Sequence, residues 1–542
     1  MVQRHIIEIS ESPIGLEKWY QTLFTKEALN LLAELFLQFE QRISQLYCDR
    51  QIRKYKLRRY KELPKFLKSK QRSDKIWKVD AVPERLANRR LDLGDVSPAN
   101  TSHFFEALNA DVQGIQVDFD DGHCPTWRNQ IIGLYNVYHV VHRKNAKVKP
   151  LTDLPILMLR PRAWNMLDHN IMVNGKKVPG SLVDFAILMY HNGYTLYTES
   201  CGPCFYLSKL ESASEAKLWN EIFIWTQKLL GIPQGTIKAC VLIENVLASF
   251  EMEEILFELK HHSLGLNCGI WDYAASFIAK FGHRRNFVFP DRNKYVNMQT
   301  YFLKKYMELV VQVCHSRGAH ATSGMAAQIV DSKNGQTIIN NVVKAKSLEI
   351  EAGVDGFMVY DIQLVPCMNQ LWDEKRSNSV NQLDFRIAHV ITAADLLKIP
   401  AGEVTESGLY HNIQVSILFI YNWLYGHGHF INKDAVEDSA TAEISRSQIW
   451  QWITHRVKLE DGKLITFQMI CKLTKDFIDY VPNMKKECVT TAANIFLEIV
   501  GHAEPPDFIT TYLNDHYIFR KVHQSLQITK YCYDKMNVRH KL

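Results

Sequence analysis

The sequence lacks any apolar run long enough to cross a membrane. A membrane helix needs about 20 consecutive apolar residues, and the most hydrophobic stretch, Ile413 to Leu424, is interrupted by Gln414, Ser416 and Asn422. The first residues lead into a segment with Glu and Ser rather than an apolar signal core. With 46% apolar and 23% charged residues, the 542-residue chain has an ordinary globular composition. We therefore expect a soluble intracellular protein that buries a large core.

A regular cysteine pattern is also missing. The 11 cysteines are odd in number and irregularly spaced, which is unlike a disulfide framework. The Cys-x-x-Cys pair of Cys201 and Cys204 has no matching second pair to complete a zinc site. We therefore expect reduced thiols and interpret the pair as coincidental.

The chain has no broad excess of one charge. Its net charge of +6 comes from residues 50–78, where 13 basic residues accompany two acidic ones, and the remaining 51 basic and 56 acidic residues give −5. No recognisable nucleic-acid-binding module accompanies this basic segment, and Pro64 interrupts it. We interpret it as a solvated helix and linker and expect no nucleic-acid partner; contact with an anionic ligand or surface is the alternative.

What the sequence does contain is an alternation of short apolar runs with helix-period segments. Eight runs end in polar or charged residues, at 89–94, 114–121, 156–162, 205–212, 239–245, 264–272, 319–325 and 356–361. Such alternation indicates an α/β protein, and eight is the strand number of a (β/α)8 TIM barrel. A doubly wound open sheet would show the same alternation. We predict the barrel.

The same pattern suggests the domain organisation. Residues 1–88 show apolar residues at helical spacing and predict an N-terminal helical segment with a basic linker. The barrel is expected over 89–385, with an insertion near 165–200 in the third strand–helix connection. Helix-period segments after this point predict a helical C-terminal domain over 386–542.

Three charged residues at predicted strand ends are candidates for chemistry. Glu244 and Asp272 are 28 residues apart, the length of one βα unit, so adjacent strands should bring both carboxylates to the same rim. Two carboxylates with water and substrate oxygens suit Mg²⁺. Arg160 adds a permanent cation that can bind a carboxylate in bidentate fashion. Together they predict a site for a small oxyanionic substrate.

At these residues the chain resembles a known family. The run Lys260–Tyr273 (KHHSLGLNCGIWDY) closely resembles the signature of the malate synthases, in the shorter, glyoxysomal-like (A-type) form. Collinear similarity extends from about residue 20 to 500 and includes Asp118–Asp121 (DFDD), Pro125–Trp127 (PTW), Arg160–Arg162 (RPR), Gly180–Phe185 (GSLVDF), Lys209–Ser212 (KLES), Gly318–Ala321 (GAHA), Gly324–Gln328 (GMAAQ) and Glu437–Arg446 (EDSATAEISR).

The resemblance implies a reaction. It is the Mg²⁺-dependent Claisen condensation of acetyl-CoA with glyoxylate, followed by hydrolysis to malate and CoA, as in the glyoxylate cycle. By similarity, Glu244 and Asp272 are the Mg²⁺ ligands and Gly269 and Trp271 form the glyoxylate-binding turn, so that these residues and Arg160 bind the substrate.

The resemblance also implies two catalytic residues. Asp438 matches the catalytic aspartate that removes a methyl proton from acetyl-CoA, and Arg160 matches the arginine that stabilises the enolate. Because Asp438 lies in the C-terminal domain, that domain is expected to close over the barrel mouth. Without the resemblance, Asp438 would be interpreted as a helix-capping acid beside Ser439 and Thr441.

One strand end departs from the family pattern. Where a His-Pro pair is usual, this chain has Tyr360-Asp361-Ile362, which puts its affinity for acetyl-CoA in question. Two alternatives accompany the malate synthase hypothesis. One is a related malyl-CoA or citramalyl-CoA lyase or thioesterase, and the other is a non-catalytic CoA-binding member of the family.

The last three residues bear on location. His540-Lys541-Leu542 resembles the Ser-Lys-Leu type of peroxisomal signal, except that His replaces the small residue. Malate synthases of eukaryotes often carry such a signal. We expect import into peroxisomes or glyoxysomes through the import receptor, with the cytoplasm as the alternative.

Overall fold

Eight parallel strands close into a barrel in the computed structural model, which describes residues 5–144, 148–331, 333–377, 379–481, 484–518 and 528–533. In barrel order the strands are β2 (Leu91–Val96), β3 (Gly114–Asp118), β4 (Ile156–Arg160), β7 (Cys204–Leu207), β8 (Lys238–Ile243), β9 (Ser263–Cys268), β10 (Ala321–Ala326) and β11 (Gly356–Val359). Each coincides with one of the eight predicted runs. The predicted TIM barrel is confirmed, and the open sheet is excluded.

Burial explains why these runs form strands. Nearly every residue of the eight strands is buried, as expected when helices cover the outside of a parallel barrel and side chains fill its centre. The interior toward the amino ends of the strands is filled by Leu86 and by side chains from the four neighbouring strands β4, β7, β8 and β9, namely Ile156, Met158, Cys204, Tyr206, Cys240, Leu242 and Leu264. The barrel is therefore closed at that end, and a cavity is left at its carboxyl end.

Helices surround the barrel and build the rest of the chain. They are α1 (Glu17–Leu23), α2 (Lys26–Tyr60), α3 (Lys70–Ser73), α4 (Thr101–Ala107), α5 (Trp127–Val141), α6 (Gly180–Leu188), α7 (Tyr194–Thr198), α8 (Ala213–Leu230), α9 (Met252–Glu258), α10 (Trp271–Phe281), α11 (Arg292–Tyr295), α12 (Tyr301–Arg317), α13 (Gly335–Glu351), α14 (Val365–Arg376), α15 (Ala393–Leu396), α16 (Glu406–Leu424), α17 (Ser439–Thr454), α18 (Phe467–Tyr480), α19 (Lys486–Gly501) and α20 (Ile509–Leu513). No helix in the described ranges is long and apolar enough to span a membrane.

A second sheet joins distant parts of the chain. Its order is β14 (Ile528–Tyr533), β1 (His5–Ser10), β5 (Leu167–Val173) and β6 (Lys176–Pro179), all antiparallel. The predicted insertion near 165–200 thus begins with a hairpin that pairs with the amino-terminal strand. The helical prediction for the first residues differs from the structure here, because Ile7 and Ile9 are buried with the period of two that a strand requires.

The N-terminal helix α2 carries the first half of the basic segment. Thr25 caps it by accepting a hydrogen bond from Ala28 N at 3.2 Å, and its apolar stripe packs into the main core. The helix ends at Tyr60, where Lys61 has a left-handed conformation (φ 54°). The basic segment is therefore the end of a long helix followed by a linker that lies along the barrel.

The helices after residue 400 form a second core. Residues of α16, α17, α18 and α19 pack together in a cluster separate from the barrel core. A short hairpin of β12 (Phe430–Asn432) and β13 (Ala435–Glu437) leads directly into α17, which packs against both α16 and the barrel helix α10. This packing places the amino terminus of α17 over the carboxyl end of the barrel.

Candidate active site

Three carboxylates converge at the carboxyl end of the barrel. Glu244 follows β8 directly, Asp121 lies in the loop after β3, and Asp272 is in the first turn of α10. One oxygen from each lies within 4.8 Å of the others, and all three residues are buried. Asp272 was expected at a strand end, but β9 already ends at Cys268. Its place near the amino terminus of a helix favours its negative charge.

Arg160, the last residue of β4, lies beside this cluster and is buried. Its Nη2 donates to Asp121 and, at 3.3 Å, to Asp120, while Nη1 is 3.4 Å from Asp118 Oδ2 and 3.6 Å from Asp95 Oδ1. Its buried Nε has no hydrogen-bond partner within the described part of the chain. The guanidinium therefore has donor capacity left for a ligand in the cavity.

Lys209 is the second cation of the site. Its Nζ lies 2.7 Å from Asp121 Oδ1, 2.9 Å from Asp120 Oδ2 and 3.6 Å from Asp272 Oδ2. Its backbone N–H donates to Glu244 Oε1 at 2.7 Å. One residue thus contacts all three clustered carboxylates.

Asp438 faces the cluster from the C-terminal domain. It is the N-cap of α17, because its Oδ1 accepts from Thr441 N at 3.0 Å and Thr441 Oγ1 accepts from Asp438 N at 3.0 Å. The capping role and the position at the site are therefore compatible. The next residue, Ser439, donates a hydrogen bond to Asp121, which links the C-terminal domain to the carboxylate cluster.

Most of these groups line one cavity of about 100 Å³. Its walls include Asp121, Arg160, Glu244, Asp272 and Asp438. The loop between β9 and α10 adds Gly269, Ile270 and Trp271. The backbone N–H of Gly269 donates to Tyr306 Oη at 3.0 Å, and the Trp271 ring stacks 5.0 Å from the Arg292 guanidinium. The structure thus brings all six sequence-predicted site residues to one cavity.

The electrostatics of the cavity favour a bound cation. Burial raises the pKa of Glu244, and it raises that of Asp272 well above its usual range; Lys209 only partly opposes both shifts. Burial acts in the same direction on Asp121, but Arg160 and Lys209 outweigh it and hold the pKa of that carboxyl well below its usual range. The nearby cations therefore outweigh burial at Asp121 but not at Glu244 or Asp272.

The strand end that differs from the family pattern, Tyr360-Asp361-Ile362, has a clear structural role. Tyr360 follows β11, and its Oη lies 2.9 Å from His429 Nε2, while His429 Nδ1 lies 2.8 Å from Gly122 O. Because a carbonyl can only accept, Nδ1 carries the proton and Tyr360 donates to Nε2. Asp361 accepts from the backbone of Gln363 and Val330. Tyr360 therefore ties the strand end to the C-terminal domain.

Several residues of this site could not be assigned a role from the sequence. Asp121 and Lys209 were noted only as members of the DFDD and KLES motifs. Asp95, which has a left-handed backbone (φ 51°) and lines the cavity, was not noted at all. The available signal was position, because all three lie at or just after the carboxyl ends of barrel strands. The tripeptide His540-Lys541-Leu542 lies outside the described residues.

Comparison with known proteins identifies the family. The family model "Malate synthase, TIM barrel domain" matches residues 156–399, and "Malate synthase, C-terminal" matches residues 403–517. A solved malate synthase from Haloferax volcanii aligns with 77% of this chain and 98% of its own, at a TM-score of 0.45 and 13% identity.

Sequence relatives cover nearly the whole chain. Malate synthase of Dictyostelium discoideum is 38% identical over 526 residues, which are 91% of this chain and 95% of that protein. The glyoxysomal malate synthases of Candida tropicalis and Brassica napus are 35% and 34% identical, over 91% and 95% of this chain and 93% and 97% of their own lengths. The predicted fold, family and enzymatic activity are confirmed: this chain belongs to the malate synthase family.

Proposed function

We propose that the cavity at the carboxyl end of the barrel is the site at which acetyl-CoA and glyoxylate condense. The observation that carries this proposal is the meeting of Asp121, Glu244 and Asp272 with Arg160 and Asp438 around one cavity. These are the groups that the reaction requires: ligands for a divalent cation, a fixed positive charge and a base.

The clustered carboxylates fit Mg²⁺. They are hard oxygen donors, three in number and mutually within 4.8 Å, and Lys209 offsets the effect of burial on the pKa of Glu244 and Asp272 only in part. Glu244 and Asp272 would hold the ion, as the sequence predicted, with Asp121 as a third ligand or as an acceptor for its water. When bound, Mg²⁺ supplies Lewis-acid polarisation of the glyoxylate aldehyde.

Asp438 serves as the base of the first step. Its carboxylate takes a proton from the methyl group of acetyl-CoA, and the electron pair of that C–H bond forms the enolate. The α17 capping box holds the carboxylate in place through Thr441. Because Ser439 binds Asp121, the base is positioned relative to the carboxylate cluster.

Arg160 stabilises the charge that develops on the enolate oxygen. Arg160 lines the cavity with its guanidinium charge, and low exposure to water there strengthens the interaction. The enolate carbon then attacks the aldehyde carbon of glyoxylate, and the resulting oxyanion takes up a proton. Water cleaves the thioester of the malyl-CoA to give malate and the free thiol of CoA.

Gly269 and Trp271 would form one wall of the glyoxylate site. They line the cavity beside Glu244 and Asp272 in the loop that opens α10. The amide of Gly269 is bonded to Tyr306, so its contribution is the shape of the turn. The amino-terminal end of α10 adds a partial positive charge toward a carboxylate substrate.

Thiol release tests the reaction directly. Purified full-length protein with Mg²⁺, acetyl-CoA and glyoxylate should release CoA thiol in step with malate. Malyl-CoA accumulating without free thiol would indicate a lyase that does not hydrolyse the thioester. Acetyl-CoA binding measured by calorimetry, without product, would indicate a non-catalytic protein.

We also propose that the protein is imported into peroxisomes or glyoxysomes by a receptor that reads His540-Lys541-Leu542. Two of its relatives are named glyoxysomal, and the terminal Lys-Leu pair matches the signal type. With a fluorescent protein fused upstream of the chain, a punctate signal should become diffuse when Leu542 is deleted. A diffuse signal from the intact chain would instead place it in the cytoplasm.

A further inference from the structure

Lys209, which contacts all three clustered carboxylates, has an unusual backbone conformation. Its φ is 54°, in the left-handed region that is unfavourable for a residue other than glycine. This conformation lets the backbone N–H point at Glu244 while the side chain reaches Asp121 and Asp272. Something outside the residue must fix it, because the local chain alone disfavours it.

Arg50 of the basic segment provides that constraint. Its Nη2 donates to the carbonyl oxygen of Lys209 at 2.9 Å. The same guanidinium forms a two-point ion pair with Glu215, Nε to Oε1 at 2.9 Å and Nη2 to Oε2 at 2.7 Å. The N–H of Lys209 binds Glu244 and its C=O binds Arg50, so both sides of this residue are fixed.

The neighbouring contacts make the arrangement rigid. Glu215 Oε2 also accepts from Glu211 N at 3.0 Å, and Arg53, one turn further along α2, donates to Glu211 O at 2.8 Å. The Arg50 side chain is 12% exposed and that of Glu215 is 4% exposed. A buried two-point ion pair of this kind orients its partners more strictly than a surface pair does.

We propose that Arg50 is a positioning residue for the metal site: it fixes the Lys209 backbone, which in turn orients Glu244 and, through the lysine side chain, Asp121 and Asp272. The proposal rests on the proposed role of Glu244 and Asp272 as Mg²⁺ ligands. It gives the first half of the basic segment a function inside the molecule, as a support for the site rather than a surface for an anionic partner.

Arg42 offers a matched control. It lies eight residues earlier on α2 and forms an ion pair with Glu221, another residue of α8, at 2.5 Å. Its side chain is 44% exposed, and its contacts do not include the Lys209 loop. Arg50→Gln and Arg42→Gln therefore remove the same charge from the same helix, but only the first disturbs the support of the metal site.

The test is direct calorimetry of Mg²⁺ binding to the full chain without substrates. Substitution of a residue that hydrogen-bonds to a metal ligand typically lowers metal affinity 10–100-fold. We expect Arg50→Gln to weaken Mg²⁺ binding by about tenfold. Arg42→Gln should stay within about twofold of the wild type, since exposed ion pairs contribute little. In steady-state assays Arg50→Gln should raise the Mg²⁺ concentration for half-maximal rate, with the KM for acetyl-CoA unchanged.

Arg50→Lys keeps the charge beside Glu215 but lacks the planar group that binds Glu215 and Lys209 together. It should fold and show a partial loss of affinity; it decides the question if Arg50→Gln does not fold. Wild-type Mg²⁺ affinity in a folded Arg50 variant, or an equal loss in Arg42→Gln, would overturn the proposal. Glu244→Gln distinguishes a failure of the ligand assignment from a failure of the Arg50 proposal. If this variant binds Mg²⁺ normally, the ligand assignment itself is wrong.

Discussion

Arg160 and Arg162 follow one another at the end of the same strand, separated only by Pro161, yet their surroundings differ. Arg162 is enclosed by two acids: Asp184 accepts from its Nε at 2.9 Å and from Nη2 at 2.8 Å, and Asp168 Oδ2 forms an ion pair with Nη1 at 2.9 Å. Arg160 lies among four acids, borders a cavity and keeps an unpaired Nε.

The difference separates charge that supports the fold from charge that is available for chemistry. Around Arg162 the guanidinium forms ion pairs with both acids, and none of these three residues lines the cavity. Around Arg160 and Lys209 the acids outnumber the cations, so the site retains capacity for a further cation and for an anionic intermediate. An excess of acids beside a cavity therefore marks the functional arginine better than burial does, since both arginines are buried.

The largest effect is expected at the base. Asp438→Asn preserves shape but cannot accept the methyl proton, so kcat should fall by about 10²–10⁴-fold, the usual range for general acid–base groups. Exchange of the acetyl-CoA methyl protons with solvent deuterium, followed by NMR, should be lost with it. Exchange that persists in the variant would assign the base to another residue.

Matched substitutions of Arg160 and Arg162 test whether the first acts in catalysis and the second in stability. Arg160→Gln should reduce kcat by about 10²–10³-fold, as for other groups that stabilise an oxyanion. The loss should persist at low temperature, where the variant is fully folded. Equal losses of kcat in Arg160→Gln and Arg162→Gln at low temperature would show that the two arginines do not differ in this way.

Arg162→Gln should act on stability instead. It leaves Asp168 and Asp184 buried without their cation, and removing one partner of a buried ion pair costs about 3–5 kcal/mol of unfolding free energy. Urea unfolding measures this loss directly. At low temperature the folded protein should regain turnover, which Arg160→Gln should not.

A smaller effect is expected from a histidine away from the cavity. Burial, with help from Lys238, lowers the pKa of His262 from 6.5 to about 4. The unfolded chain therefore binds more protons between these values, and the free energy of unfolding should fall as pH drops from 6.5 to 4, by up to about 3 kcal/mol from this residue. Urea unfolding across this range should show a shallower decline for His262→Gln; an unchanged slope would contradict the assignment.

The smallest effect is expected at Tyr360, in the strand end that differs from the family pattern. Tyr360→Phe removes the hydrogen bond to His429, whose net contribution is about 0.5–1.5 kcal/mol. We expect the KM for acetyl-CoA to rise about two- to tenfold with kcat nearly constant. A change in kcat alone would show that this contact affects the chemical step rather than binding of the cosubstrate.

Much of this arrangement could be predicted from the sequence, because the barrel strands are local signals. Each strand is a short, wholly buried apolar run, and polar residues such as Glu244 follow it directly. Motif similarity added Asp438, which no local pattern distinguishes from an ordinary helix cap. Strand β1 was not predicted, since its partners β5 and β14 are distant in the chain and only two of its residues show the buried alternation.

The roles of Lys209 and Arg50 were beyond prediction for a different reason. In the sequence, Arg50 is one of 13 basic residues in a segment predicted to be solvated. Only its contacts with Glu215 and the Lys209 carbonyl distinguish it from the other 12. The left-handed backbone of Lys209 has no sequence signal, because lysine does not favour it. Such tertiary contacts determine how the site is held, whereas the sequence indicates which residues take part.

The metal site is the central claim, and Mg²⁺ titration by calorimetry tests it most directly. Substrate-free wild-type protein should bind one Mg²⁺. Glu244→Gln and Asp272→Asn should each weaken binding by more than about 100-fold, since loss of a direct ligand should exceed the effect of an outer-shell partner, while thermal unfolding without Mg²⁺ shows that both variants remain folded. Wild-type Mg²⁺ affinity in either folded variant would contradict the account.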